Sequence, residues 1–251
     1  SANKGYSLAQ NSIGNSYEHG DRVKKDRSLA FEWYKKSAEQ GYSQALYDVG
    51  RCYFLGRGTE MNEEEGIKWF QLAADKGDYQ GLSKMGLFYH YGRVVEKDRN
   101  KSIQFFEKAV LQWNEEAKYY LGLHYLQDES DPSNQTKGFQ LLNENKFPNE
   151  NLQILLGVCY EFGLGVEKNQ KKAFELYSEA SKYKSPPAKY NVGRCYEEGI
   201  GVDVNVDEAR RWFEEAAEGY SWCEGDIDAK NKLRVIEEDK IRVKFRKNWY
   251  V

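Results

Sequence analysis

The chain has 251 residues, 40% hydrophobic and 31% charged, with a net charge of −3 at neutral pH. It holds apolar material for a core and lacks the global positive field on which a nucleic-acid binder depends. Aromatics reach 15%, with 19 Tyr against 4 Pro, which suits helices packed through rings better than a disordered chain.

The chain opens Ser1-Ala2-Asn3 without an initiator Met or a signal-like apolar run, as a processed or excised piece would. No stretch approaches the roughly 20 apolar residues of a membrane-spanning helix. A repeat begins almost at once. Gly14, Gly50, Gly86, Gly122, Gly157 and Gly193 recur at separations of 36, 36, 36, 35 and 36. Three residues after each stands a tyrosine: Tyr17, Tyr53, Tyr89, Tyr125, Tyr160 and Tyr196. An apolar residue precedes each glycine (Ile13, Val49, Met85, Leu121, Leu156, Val192). Nineteen residues after each glycine comes Trp33, Trp69, Phe105, Leu141, Leu176 or Trp212. Four columns in phase specify six repeats, at about 5–41, 42–77, 78–113, 114–148, 149–183 and 184–220.

Each repeat reads as two helices. In the second, Ala45, Val49 and Tyr53 recur four apart on one helical face. Gly56-Arg57-Gly58 breaks that helix, and a second is predicted over Glu63 to Asp75, closed by Gly77. Glu63-Glu64-Glu65 falls in its first turn, where the helix dipole favours negative charge. Neither hairpin buries its apolar face alone, so the units must stack. The fourth repeat is degenerate. Its loop, read as Gln127 to Lys137, lacks the usual glycines, and a deletion falls around Asn143 to Asn149. A shortened second helix and a local change of superhelical curvature are expected there. After Tyr220 the repeat stops, and residues 221–251 are predicted as a capping helix (Asp226 to Phe245) with a basic tail. No comparable cap precedes the first repeat, so the parent protein is expected to extend upstream. The expected fold is all-α: one continuous right-handed α/α superhelix, or solenoid, of six ~36-residue helix hairpins plus a C-terminal capping helix.

Ala45-x-Tyr47-x-Val49-Gly50-x-x-Tyr53-x-x-Gly56-x-Gly58, followed by Trp69-Phe70 and Ala73-Ala74-x-x-Gly77, resembles the Sel-one-like repeat, a relative of the tetratricopeptide repeat. Leu164-Gly165-Val166, Ile200-Gly201-Val202 and Trp33-Tyr34 with Ala38-x-Gln40-Gly41 match the same pattern. Together these motifs carry the resemblance over roughly 85% of the chain. The resemblance implies an adaptor. Similar proteins serve in endoplasmic-reticulum-associated degradation, fungal chitin synthase activation, bacterial signalling and host interaction. A cysteine-rich bacterial branch is linked to penicillin binding or weak β-lactamase activity and carries paired cysteines in each repeat. Here Cys52, Cys159 and Cys195 stand one to a repeat, and with Cys223 they read as unpaired thiols.

Chemistry is hard to place. His19, His90 and His124 have no metal-ligand spacing, and no serine elbow appears. Gly163-Leu164-Gly165 and Gly199-Ile200-Gly201 follow helices rather than strands and read as helix breaks, not nucleotide loops. No catalytic residue, cofactor or metal is expected. By the resemblance, the first helix of each hairpin lines the concave face, with inward positions three before the glycine and one, four and five after it. Those columns nominate Tyr47, Arg51, Phe54, Leu55, Leu87, His90, Tyr91, Tyr119, Leu123, Leu126, Ile154, Val158, Phe162, Tyr190 and Arg194. Exposed rings at Phe54, Tyr91 and Phe162 would make a peptide- or helix-binding groove, with Arg51 and Arg194 as carboxylate anchors. The competing reading packs half these rings between adjacent first helices.

The expected function is therefore a non-catalytic scaffold that holds a peptide or helix of a partner protein. The alternatives are a small-ligand or cell-wall-related protein of the cysteine-rich branch, and a self-associating architectural module. No nucleic-acid partner is expected. Arg242, Lys244, Arg246 and Lys247 form a basic end around Phe245 and Trp249, suited to weak contact with acidic lipid or an acidic partner. Unpaired cysteines favour a cytoplasmic setting, with the endoplasmic reticulum lumen or a secreted effector as alternatives.

Overall fold

The computed structural model describes residues 2–128, 131–146 and 148–223. Twelve α-helices and no strand occur among the described residues. They run α1 (Ala2–His19), α2 (Arg27–Glu39), α3 (Ser43–Leu55), α4 (Glu63–Asp75), α5 (Tyr79–Tyr91) and α6 (Arg99–Val110), then α7 (Glu115–Leu126), α8 (Pro132–Asn143), α9 (Glu150–Phe162), α10 (Gln170–Ser181), α11 (Pro186–Glu198) and α12 (Val206–Cys223). The predicted cap and basic tail fall beyond Cys223 and lie outside the described residues. The chain divides into two compact units, Ser1–Tyr120 and Leu121–Val251, with the border inside α7.

The hairpin has a local grammar that repeats in both units. The second helix starts at an Asp or Asn twelve residues after the glycine column: Asp26, Asn62, Asp98, Asn169 and Asn205. Each side-chain oxygen accepts a hydrogen bond from the third helical N–H, at 2.9–3.1 Å, satisfying a donor that the helix itself leaves open. Each of these residues also donates its own N–H to the carbonyl of the tyrosine column, as Asp26 does to Tyr17 and Asn205 to Tyr196, at 2.8–3.0 Å. One residue thus fixes where the second helix begins and how it turns back on the first.

Glycines end the first helix. Gly56, Gly92, Gly163 and Gly199 cap it in the left-handed region, where a side chain would be strained. Two positions on, Gly58, Gly165 and Gly201 also have positive φ, and each lies against backbone at the start of the preceding repeat's second helix. Arg22 and Val94 hold that position with φ of 61° and 64°.

Within each repeat the core is a large side chain set on the glycine column, a ring in every repeat but the fourth. Tyr34, Phe70, Phe106, Leu142, Tyr177 and Phe213 lie over Gly14, Gly50, Gly86, Gly122, Gly157 and Gly193, where an added Cβ would meet the side chain at 2.5–2.8 Å. The glycine is there because two helices cross at that point with a ring between them. The sequence reading had marked the neighbouring column, Trp33 to Trp212, which is half-buried. The tyrosine column makes the step between repeats: Tyr53, Tyr160 and Tyr196 take Phe31, Phe139 and Phe174 of the preceding second helix edge-on, with centroids 5.2–5.5 Å apart. The apolar column before the glycine follows the same rule. Val49, Met85, Leu121 and Val192 are buried, while Ile13, in the first repeat, is 37% exposed.

The fourth repeat departs from expectation. Its second helix is not shortened: α8 has 12 residues, as α6 and α10 do. It ends early, at Asn143, but it also starts early, because Asp131 caps it and Pro132 occupies the first turn. Pro has no N–H to lose there, and its fixed φ is already helical. The helix therefore begins inside the stretch read as loop, at Pro132 rather than after Lys137, and Asn134, which stands at the usual capping position, donates its N–H to the Asp131 carbonyl at 2.9 Å. Leu142 still meets Gly122, so the helix register survives the deletion.

Candidate interaction surface

The columns nominated from sequence divide sharply by exposure. In α3, Tyr47, Arg51, Phe54 and Leu55 follow at i, i+4, i+7 and i+8, one stripe of a helix, and all keep some solvent contact. Leu55 is the most open, at 49%. Tyr47 tilts against Phe70 with centroids 5.4 Å apart, and burial pushes its hydroxyl up to about 12. Phe54 sits between Phe70 and Phe88, at 6.0 and 5.2 Å, with the Arg93 guanidinium 4.7 Å above its ring. Half-buried Tyr91 closes the stripe from α5, its hydroxyl 3.0 Å from that of Tyr120.

Elsewhere the nominated positions are interior. Leu87, His90, Tyr119, Leu123, Leu126, Ile154, Val158 and Arg194 are each no more than 6% exposed. The position one after the glycine faces the stack from the third repeat onward, so it does not offer the surface expected of it. His90 is held edge-on to Tyr91 and Tyr120, at 4.6 and 5.2 Å. Arg194, read as an anchor for a partner's carboxylate, is engaged inside the fold: its two terminal nitrogens lie 2.8 and 2.5 Å from the Glu161 carboxylate, which also accepts from the Tyr177 hydroxyl at 2.8 Å. The paired carboxylate raises the Arg194 pKa against the opposing effect of burial. Phe162 is half-buried and Tyr190 is 44% exposed.

Beside the stripe is a polar cluster that sequence reasoning passed over. Asp48, 5% exposed, faces Arg51 at 3.2 Å and Asn11 of α1. Glu18, 3% exposed, meets Arg57 at 3.4 Å and Arg27 at 3.9 Å. Tyr34 donates to Asn15 at 2.8 Å. Part of the signal was present in the sequence, since Asn11, Asn15, Glu18 and Arg51 stand on inward columns of the first and second repeats and Asp48 beside one.

A second feature is a hollow of about 430 Å³ on α11 and α12, lined by Val206, Ala209, Phe213 and Ala217 with Glu197, Arg210 and Glu214 at its rim. It lies on the face that, in earlier repeats, receives the next first helix. Among the described residues no cluster of His, Cys, Asp and Glu is arranged to hold a metal ion, and no helix is long and apolar enough to cross a membrane. Burial pushes the Cys52 thiol up to about 12 and holds Cys159 far above the ordinary range, which disfavours the reactive thiolate at both.

The comparisons agree with this architecture. The Sel1 repeat family is matched over residues 7–42, 43–78, 80–112, 115–144, 152–182 and 186–221. A search of curated proteins finds no match. Among solved structures, the chain is similar to a Sel1 repeat protein from Oxalobacter formigenes, at 30% identity and TM-score 0.67, covering 84% of this chain and 87% of that one. It is also similar to c5321, a protective antigen present in uropathogenic Escherichia coli strains and displaying an SLR fold. That likeness is at 27% identity and TM-score 0.70, over 97% of this chain and 55% of the other. Six matched repeats, together with the recurring glycine, ring and capping columns, make the chain a member of the Sel1 repeat family.

Proposed function

We propose that this protein is a non-catalytic scaffold that holds a peptide or helical segment of a partner protein against the α3 stripe of its second and third repeats. Sel1 repeat proteins are commonly protein-interaction scaffolds. The observation that carries the finer reading is the composition of the stripe. Tyr47, Phe54, Leu55 and Tyr91 remain partly open, with Arg51 and Arg93 beside them. Large rings flanked by guanidinium groups are the usual anchors of protein interfaces. An apolar stripe at helical spacing suits an amphipathic helix or an extended segment with apolar anchors.

Position 55 gives the cleanest test, because Leu55 projects to solvent and its loss costs the fold little. A photo-cross-linking residue at position 55 is expected to capture a specific protein from native lysate, while the same residue at Leu111, 82% exposed on the turn after α6, captures none. Leu55→Asp is expected to weaken affinity for the captured protein at least tenfold, about 1.4 kcal/mol, with an unchanged circular dichroism spectrum. Capture from both positions, or an unaltered affinity, would remove the stripe from the reading.

A further inference from the structure

The two ends of the described array carry the same polar triad in different states. Take the residue four after the glycine, the ring twenty after it, and the residue one after the next glycine. Between the fifth and sixth repeats these are Glu161, Tyr177 and Arg194, and the triad is closed by two arginine–carboxylate bonds and the tyrosine hydroxyl. Between the first and second they are Glu18, Tyr34 and Arg51, and the triad is open. Arg51 turns back along α3 to Asp48, while Glu18 Oε2 is buried without a hydrogen-bond partner.

Two columns differ on the arginine's own helix: five after the glycine, Arg194 also faces Glu198 at 3.5 Å where the second repeat has Leu55, and the other column bears on the arginine's choice of carboxylate. Two before the glycine, the second repeat has Asp48 and the sixth has Asn191, an amide of the same shape as a protonated aspartate. Beside the neutral Asn191, Arg194 crosses to the glutamate of the preceding repeat. Beside the ionised Asp48, Arg51 stays on its own helix. We propose that Arg51 is a two-position arm that leaves Asp48 for Glu18 when Asp48 takes up a proton, and so re-sets the charge along the α3 stripe. The inference rests on that stripe as the contact surface only for its consequence; the exchange itself is independent of any partner.

The surroundings set the pH. Asp48 is lifted to about 6, first by burial and also by Asp78 at the start of α5, while Arg51 and the Asn11 amide pull it back. Glu18 from α1 and Tyr34 from α2 act on Arg51 directly. Tyr47 adjoins on α3, and α4 meets this part of α3 with Phe70 and Gly66. The folded carboxyl has the higher pKa, so its ionised form costs stability above about pH 6. That cost is relieved as pH falls through 6 toward the unfolded value near 4. On the receiving side, Glu18 Oε1 is occupied by Arg57 and Oε2 is open, matching the Glu161 oxygen that Arg194 approaches most closely.

The test is the crystal structure of Asp48→Asn at pH 7.5 beside wild type at pH 7.5 and pH 5. The expected result places the Arg51 guanidinium within 3.2 Å of Glu18 in the variant and in wild type at pH 5, and beside Asp48 only in wild type at pH 7.5. In solution, the Arg51 side-chain N–H resonance of wild type should move with a midpoint near pH 6. It should be pH-invariant in Asp48→Asn, whose helicity is checked first. Wild type should also gain roughly 2–4 °C in Tm relative to Asp48→Asn between pH 7.5 and 5. Arg51 remaining beside position 48 in the variant, or a resonance that titrates equally in wild type and variant, would overturn the exchange. A Leu55 cross-link that fails while Arg51 still moves would sink the docking surface and leave the arm standing.

Discussion

Arg194→Ala is expected to lower the stability of the second unit by about 3–5 kcal/mol, among the largest single-residue effects in the chain. Arg194 is 2% exposed, and both oxygens of the equally buried Glu161 face its guanidinium. Removing the arginine leaves a carboxylate out of water with only the Tyr177 hydroxyl for company. That penalty exceeds the value of the bond itself. The same columns in the preceding step are apolar, with Leu126 and Val158 in place of Glu161 and Arg194. The triple variant Glu161→Leu, Arg194→Val, Tyr177→Phe is therefore expected to lie within about 1–2 kcal/mol of wild type. Guanidinium unfolding followed by circular dichroism measures both. If Arg194→Ala and the triple variant were equally unstable, the arginine would matter as packing volume and not as the partner of a buried charge.

The fold was legible because its repeat is made of backbone requirements. A glycine under a crossing ring and a glycine in the left-handed region admit few replacements, so Gly50, Gly56 and Gly58 can be read directly. The bounds of α4, Glu63–Asp75, follow from acid in the first turn and Gly77 beyond the last. The second helix of the fourth repeat was misread because its start moved. Without a loop glycine, the helix signal passed to Asp131-Pro132, a pair that also reads as a turn. The Asp and Asn capping column was overlooked because those residues are common in loops, and only the recurring bond to the tyrosine-column carbonyl shows what they do.

The candidate site was less legible. A register borrowed from the first helix states which way a side chain points, but not how near the next repeat lies. Leu87, Leu123 and Val158 point along the same column as Arg51 and are covered by the stack, whereas Leu55, one turn beyond Arg51, stays open. The pattern also could not tell an arginine paired on its own helix from one paired across to the preceding repeat. Arg51 and Arg194 read alike in sequence, each with a glutamate four after the preceding glycine; the neighbouring columns, Asp48 against Asn191 and Leu55 against Glu198, separate them.

Gly165→Ala is expected to destabilise the second unit by about 3 kcal/mol or more, while Gly77→Ala costs about 1 kcal/mol. Both glycines have positive φ, 69° and 77°, so each substitution carries the same backbone strain. They differ in what a methyl group would meet. At Gly77 nothing lies within 4 Å, but at Gly165 the new carbon would fall 2.1 Å from the Gln135 carbonyl oxygen and 2.4 Å from its carbon. That neighbour is backbone inside α8, which cannot swing aside as the end of a side chain can. Relief requires moving a helix of one repeat away from the loop of the next, across the contact by which the repeats stack. Urea unfolding of the two variants separates the terms: equal midpoints would mean that strain alone matters and that the loop is not clamped. A larger loss at Gly165 would identify the second loop glycine as the point where one repeat locks onto the helix of the repeat before it, as at Gly58 and Gly201, where an added Cβ would fall 2.0 and 2.1 Å from the equivalent carbonyl oxygens of Arg27 and Gln170.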